Sequence, residues 1–265
     1  MMMRQSIEQQ HVLIAGGSGE LGFAAARSLV DAGAPVTLLA RGSEGLTTAA
    51  TRLINDVDGD VLTVTADLAN RSSLARAVEH ATNSFGDIST VIYALRHDVT
   101  GPYDAIEPAQ FQQAMNMMVM GALNLLALTV PAMQARGYGR VLFMMGQDAL
   151  AGRRFGAADC AIMHALSGLI RATSREVADT GVTINGLVCG LVDSDRLAVE
   201  VDQVVSHTRR DRTAVMNDLA MRNPQRRFIE LSEIGGLALW LVDPNNAALN
   251  GQILAADGGE LGSPV

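Results

Sequence analysis

The sequence predicts an α/β fold: a doubly wound, mostly parallel sheet with helices on both faces, in a single domain over residues 1–265. Three observations predict it. Short apolar runs alternate with helical stretches along the chain, the joints between them are rich in glycine, and no internal repeat or linker breaks the rhythm. Such alternation buries a parallel sheet under helices, and right-handed crossovers carry the chain to both faces.

The elements follow in order. Val12 to Ala15 is the first strand, closed by "GGSGELG" and followed by a helical pattern from Gly22 to Val30 that "DAGA" stops. Val36 to Ala40 is the second strand, "LTTAATRLINDV" a helix, and "VLTVTADL" a strand with an acidic end. "SSLARAVEHATNSFG" is a helix with Ser72 or Ser73 as its cap, because a hydroxyl there accepts a first-turn N–H. "ISTVIYAL" is the fourth strand, and "PAQFQQAMNMMVMGALNLLALTVPAMQARG" one long helix. "RVLFMM", a helix over 157–179, "VTINGLV", the helix "SEIGGLALWLVD" and the strand "GQILAADGG" complete the series.

Residues 193–230 interrupt it with a long, partly helical stretch carrying seven arginines. Either this is a solvated pair of surface helices, or it is a substrate lid over the strand ends with some arginines facing an anionic ligand. A lid is the expectation.

Composition narrows the function. Charged residues make up only 18%, which leaves little to cover a monomer's surface, so a homodimer or homotetramer is expected. A net charge of -8 argues against nucleic acid as a partner. Cys160 and Cys189 make no disulfide framework and suit a reducing cytoplasm. "MMMRQSIEQQH" lacks the apolar core of a signal peptide, and no segment reaches the uninterrupted apolar length of a membrane span. The expectation is a cytoplasmic protein with a small-molecule substrate, no membrane and no metal.

The first joint carries the strongest motif. Gly17, Gly19 and Gly22 stand at GxGxxG spacing between a strand and a helix. There, glycines let a pyrophosphate approach the backbone N–H groups of Ser18, Leu21 and their neighbours at the helix start, as in a Rossmann-like fold. Glu20 is awkward beside a pyrophosphate. It is expected to point to solvent and complement the helix dipole. The second strand ends in Ala40 and Arg41, where a carboxylate would grip the ribose of NAD and an arginine pairs with a 2′-phosphate. The cofactor is therefore expected to be NADPH/NADP. Asp67, with Leu68 beside it, is placed to meet the adenine.

From the glycine loop to "LNGQILAADGG" the chain resembles a short-chain dehydrogenase/reductase. "MQARGYGRVLFMM", "GLIRATSREVADTGVTINGLVCG" and "ELSEIGG" carry the resemblance, and "AGGSGELG" resembles the TGxxGxxG loop of the family's extended branch. The resemblance implies a cofactor between the strand ends and the long helix, touching Ala94 in "YALR", Gly190 and Ser194. It also implies an asparagine, serine, tyrosine and lysine. Those places hold Met118, Gly146, Asp159 and Met163. The family's proton donor, its activating charge and its carbonyl-holding hydroxyl are then all missing.

Polar groups that remain near the strand ends are His97 in "RHD", Gln147 in "QD", and Asp159 at the helix start. These are the catalytic candidates, each set against a plain cap or local hydrogen bond. Cys160 and His164, four apart, are a core pair or a nucleophilic pair. Met118 and Met145 are expected to floor an apolar pocket. The expected function is an atypical NADPH-dependent ketoreductase acting on a hydrophobic, polycyclic or polyketide-like carbonyl compound. Its proton would come from water, from Asp159 or from the substrate. The alternatives are a non-redox cyclase, isomerase or dehydratase, and a non-catalytic nucleotide-binding subunit.

Overall fold

The computed structural model describes residues 6–57, 59–96 and 98–261. Three strands of the sheet, β1 (His11–Ala15), β4 (Ile88–Tyr93) and β6 (Val182–Cys189), are buried at every position, the few polar side chains among them included. They are joined by β2 (Val36–Ala40), β3 (Val61–Thr65), β5 (Gly139–Gly146) and β7 (Ile253–Ala256). The order is β3-β2-β1-β4-β5-β6-β7, with every neighbouring pair parallel. The order reverses between β1 and β4, so a crevice opens at the carboxyl ends of those strands.

Two apolar clusters cover the two faces. One packs α1 (Glu20–Asp31), α2 (Ser43–Val57) and a late helix, Leu231–Val242. The other packs α3 (Arg71–Phe85), α4 (Pro108–Met115), α5 (Gly121–Ala135) and α6 (Ala157–Glu176). The doubly wound, single-domain α/β fold expected from the alternation is the fold observed.

Three details differ from the sequence reading. The cap of α3 is Asn70, whose side chain accepts the Ser73 N–H, not Ser72 or Ser73. Asn70 wins because the cap must lie just outside the first helical residue, Arg71. The sixth helix stops at Glu176, and residues 178–180 form a separate 3-10 turn. The long helix is interrupted by a π turn at Asn116–Met120 between α4 and α5.

The π turn has a partner in the sheet. The Tyr93 hydroxyl donates to the Met117 carbonyl (3.0 Å) and the Met118 carbonyl (2.8 Å). Burial pushes this phenol's pKa far up, so it remains a donor. Next to it, a Cβ on Gly121 would lie 3.0 Å from Leu68 Cβ and 3.2 Å from the Tyr93 oxygen, so only glycine lets the helix come this close. Removing the hydroxyl takes a buried donor from both carbonyls. Tyr93→Phe is therefore expected to cost about 1–3 kcal/mol, read as a lower urea midpoint. An unchanged midpoint would show that the π turn does not depend on this bond.

By length and composition, Pro108–Ala135 also passes as a membrane span, with a mean hydropathy of 1.5 over its best window. Half of that window is buried inside the fold against the sheet, as in the core helix of a globular domain.

Residues 193–230 form α7 (Asp195–Thr208) and α8 (Arg212–Ala220), after which Leu231–Val242 is α9. Their base is tied by a parallel bridge between Val192 and Ile229. Leu197, Val201 and Val215 make a small core of their own. Several of the seven arginines are spent on carboxylates: Arg210 on Asp218, Arg212 on Asp202, Arg227 on Glu233, and Arg196 on both Asp98 and Glu200.

Candidate active site

The glycine loop starts with a backbone that demands glycine. Gly16 has φ +84°, and a Cβ there would stand 2.5 Å from the Ala94 carbonyl oxygen. A Cβ on Gly22 would strike the Gly16 carbonyl oxygen, and one on Gly17 would press on Leu38. Gly19 is different. A Cβ there meets only the Gly16 oxygen, at 3.4 Å, so its outer side is open. Gly19 caps α1 without a side-chain bond, which leaves the first N–H groups of the helix for a ligand. Ser18 is exposed and Leu21 half-buried at the same turn. This cradle fits a dinucleotide's phosphates.

The other binding candidates follow the carboxyl ends of β2, β3, β4 and β6. Arg41 is exposed just after β2 and has no ion pair among the described residues. Asp67 is exposed beyond β3, where its Oδ1 accepts the Ala69 N–H. The Leu68 side chain is buried, so only its backbone is available, and its carbonyl already accepts the Asn124 amide. Ala94 follows β4 and donates its N–H to the Ala15 carbonyl. Gly190 follows β6, and a Cβ there would lie 2.7 Å from Asp257 Cα. The Ser194 hydroxyl accepts the Leu197 N–H and caps α7.

Glu20 does not point to solvent. Its Oε1 accepts the Asp195 N–H at 2.7 Å, joining the start of α1 to the start of α7. Glu20 thus puts a carboxylate at the same helix start that the glycines open.

The catalytic candidates sit where β5 runs into α6. Asp159 is buried in the first turn of α6. It is not a helix cap; the cap position is Gly156. Its carboxylate accepts the Val99 N–H (2.8 Å) and Arg153 Nη2 (2.6 Å). Arg153 Nε in turn donates to both oxygens of Asp148, at 2.8 and 3.0 Å. One guanidinium thus bridges two carboxylates, and its Nη1 has no partner among the described residues. Hydrogen bonding to Asp148 and the charge of both carboxylates hold its pKa above the ordinary value despite partial burial, so it stays cationic.

Gln147 donates from its amide to Glu260, which ties it to the C-terminal turn. His97 lies outside the described residues. Cys160 and His164 do not form a nucleophilic pair. The His164 ring bonds the Cys160 carbonyl, and the thiol faces Asp148 at 3.4 Å. Burial and the Asp148 carboxylate push that thiol's pKa up, the opposite of what a nucleophile needs.

Behind this cluster the packing is apolar. Met118, Met145 and Met163 are all buried in the core, so they do not floor an open pocket. They fill the space behind the site because a flexible thioether packs irregular gaps. Gly146 leaves room, since a Cβ there meets nothing within 4 Å. A cavity of about 330 Å³ lies elsewhere, at the sheet edge between β3 and α3, lined by Thr65, Arg76 and His80 among others.

A glycine loop at the β1–α1 joint, a crevice at the β1/β4 reversal and polar groups at the β5–α6 joint together define a nucleotide-dependent enzyme scaffold. A family model described as short chain dehydrogenase matches residues 10–204. The chain belongs to the short-chain dehydrogenase family.

This short-chain dehydrogenase is 23% identical to D-beta-hydroxybutyrate dehydrogenase of Rhizobium meliloti, over 93% of this chain and 96% of that one. It is 28% identical to cis-3,4-dihydrophenanthrene-3,4-diol dehydrogenase of Alcaligenes faecalis, over 96% and 91%. Among solved structures, a variant of actinorhodin polyketide ketoreductase with NADPH superposes with a TM-score of 0.90. That likeness covers 97% of this chain and 99% of the other at 22% identity, which establishes the fold. As a short-chain dehydrogenase the chain is an oxidoreductase of a family that binds a nicotinamide cofactor.

Sequence reasoning missed Arg153, Asp148 as its anchor, and the Asp98–Arg196 contact. "RRF" and "QD" were visible as charges in one loop, but the contact of Arg153 with Asp159 was not, because it depends on how residues 147–156 turn back toward α6.

Proposed function

We propose that the chain is an NADPH-dependent ketoreductase acting on a hydrophobic carbonyl compound through a non-standard site. The Asp148–Arg153–Asp159 bridge carries the reading. It holds a guanidinium at the β5–α6 joint with Nη1 unshared, close in sequence to Gly146, where the backbone leaves open room.

A nicotinamide bound in the crevice supplies the hydride. Hydride transfer to a carbonyl carbon would move the π electrons to oxygen, and Arg153 Nη1–H would stabilise that charge. The alkoxide then takes its proton from water or from an adjacent phenol of the substrate. Asp159 and Asp148 position the guanidinium, and their two charges against one disfavour a carboxylate substrate over a neutral ketone. Residues 193–230 act as the lid. Self-association through exposed Met120 of the π turn, Leu123 of α5, and Leu237 and Trp240 of α9 fits the low surface charge, and the chain's composition fits a cytoplasmic enzyme.

The direct experiment mixes the protein with NADPH and a panel of polycyclic quinones and ketones while reduced-nicotinamide absorbance is followed. Arg153→Gln should lower kcat about 100-fold, the scale of losing one oxyanion donor, and leave the NADPH Kd within about twofold. Equal turnover would remove Arg153 from the chemistry.

Cofactor choice rests on Arg41. Arg41→Ala should weaken NADPH by about 2 kcal/mol and leave NADH nearly unchanged, as for one charge-assisted bond to the 2′-phosphate. Equal calorimetric affinities of the parent for the two cofactors would reject the assignment.

A second reading is a non-catalytic nucleotide-binding subunit. Met163 favours it, buried and uncharged where the resemblance places a lysine. Binding of NADPH with no oxidation by any member of the panel would select it.

A further inference from the structure

We propose that Glu20 is a built-in competitor for the cofactor's phosphate, and that it clasps α7 shut across the crevice until it is displaced. The proposal rests on the reading that this crevice takes a dinucleotide.

Glu20 is the first residue of α1, directly after the Gly19 cap. It lies where the helix N–H groups and dipole favour a negative charge. Its carboxylate also reaches the first N–H of α7, Asp195, at 2.7 Å, a contact between residues 175 apart in sequence. One tethered anion thus balances the positive ends of two helices. A dinucleotide phosphate arriving on the open side of Gly19 would use the N–H groups at the start of α1 and would meet the Glu20 charge beside them.

A second, independent contact fastens the same turn of α7. Arg196 Nη1 donates to Asp98 Oδ2 at 2.8 Å, and Asp98 is also held by Arg96. Asp195 and Arg196 are neighbours, so α7 begins tied on one side to the phosphate loop and on the other to the loop after β4. Ser194, just before them, spends its hydroxyl on capping α7. Cofactor entry therefore has to break the Glu20 contact, and the start of α7 has to give way.

The test is binding, with no turnover required. NADPH is titrated by fluorescence into the parent, Glu20→Gln and Glu20→Ala, with 2′-AMP as a probe of the adenosine end alone. Amide exchange of α7 is followed in the ligand-free proteins. Both variants should bind NADPH about 10-fold more tightly or better, a change of about 1.4 kcal/mol. Binding of 2′-AMP should stay within twofold, and exchange in the first turn of α7 should be faster in Glu20→Ala. Parent and variants binding NADPH equally, or the variants binding it more weakly, would overturn the clasp and leave the dinucleotide reading standing. No NADPH binding by parent or variants would overturn both.

Discussion

Replacing Gly22 with alanine should abolish useful cofactor binding, with a loss of about 100-fold or more, equivalent to about 3 kcal/mol. The added Cβ would strike the Gly16 carbonyl oxygen and lie 3.1 Å from Gly17 Cα. Both are backbone atoms, so no side chain can rotate out of the way. Either the loop or the start of α1 must move, and the N–H groups that should meet a phosphate move with it. Overpacking of this kind also costs stability, about 1–3 kcal/mol. Gly19→Ala is the control. Its Cβ meets only ordinary contact at 3.4 Å, so its unfolding should match the parent, and any lost affinity reports the close approach of the ligand. NADPH titration and thermal unfolding of the two variants separate the effects. A Gly22→Ala protein that binds as the parent does would mean that the loop is not the phosphate site.

Asp159→Ala should be the most damaging single change at the β5–α6 joint. The Asp159 side chain is 5% exposed, and its loss leaves the Val99 N–H buried without an acceptor. Arg153 loses one of its two anchors as well, but its side chain is 42% exposed and regains water, so that half of the pair counts for less. The expected cost is about 2–3 kcal/mol, most of it from the stranded amide. Asp159→Asn keeps an oxygen for Val99 and should cost about half as much. Turnover should fall in both, because Arg153 is then held by Asp148 alone. Urea unfolding gives the first quantity and steady-state rates the second. Full stability in the alanine variant would show that Asp159 does not hold the loop.

The sequence by itself determined the architecture. Alternating apolar runs and helical stretches are local signals, and local periodicity decides strand against helix without knowledge of the rest of the chain. The glycine loop was legible for a related reason: Gly16 and Gly22 answer to a turn built within a few residues, and the strand before it and helix after it are adjacent in sequence. Arg41 was legible because the end of β2 is a fixed place in this topology.

Tertiary structure alone decided what the polar groups touch. Asp159 reads in sequence as a cap or an acid, but its partners come from the turning back of residues 147–156 and from Val99, 60 residues away. Glu20 reads as a solvated helix start, and meets the Asp195 N–H only because the chain after β6 brings the start of α7 beside the start of α1. Met118 and Met145 read as a pocket floor, and lie in the core because the helices of that face pack the π turn that carries Met118 against the sheet that carries Met145. Periodicity assigns a residue to a face. Which charge or helix meets it there depends on crossovers that bring distant segments together.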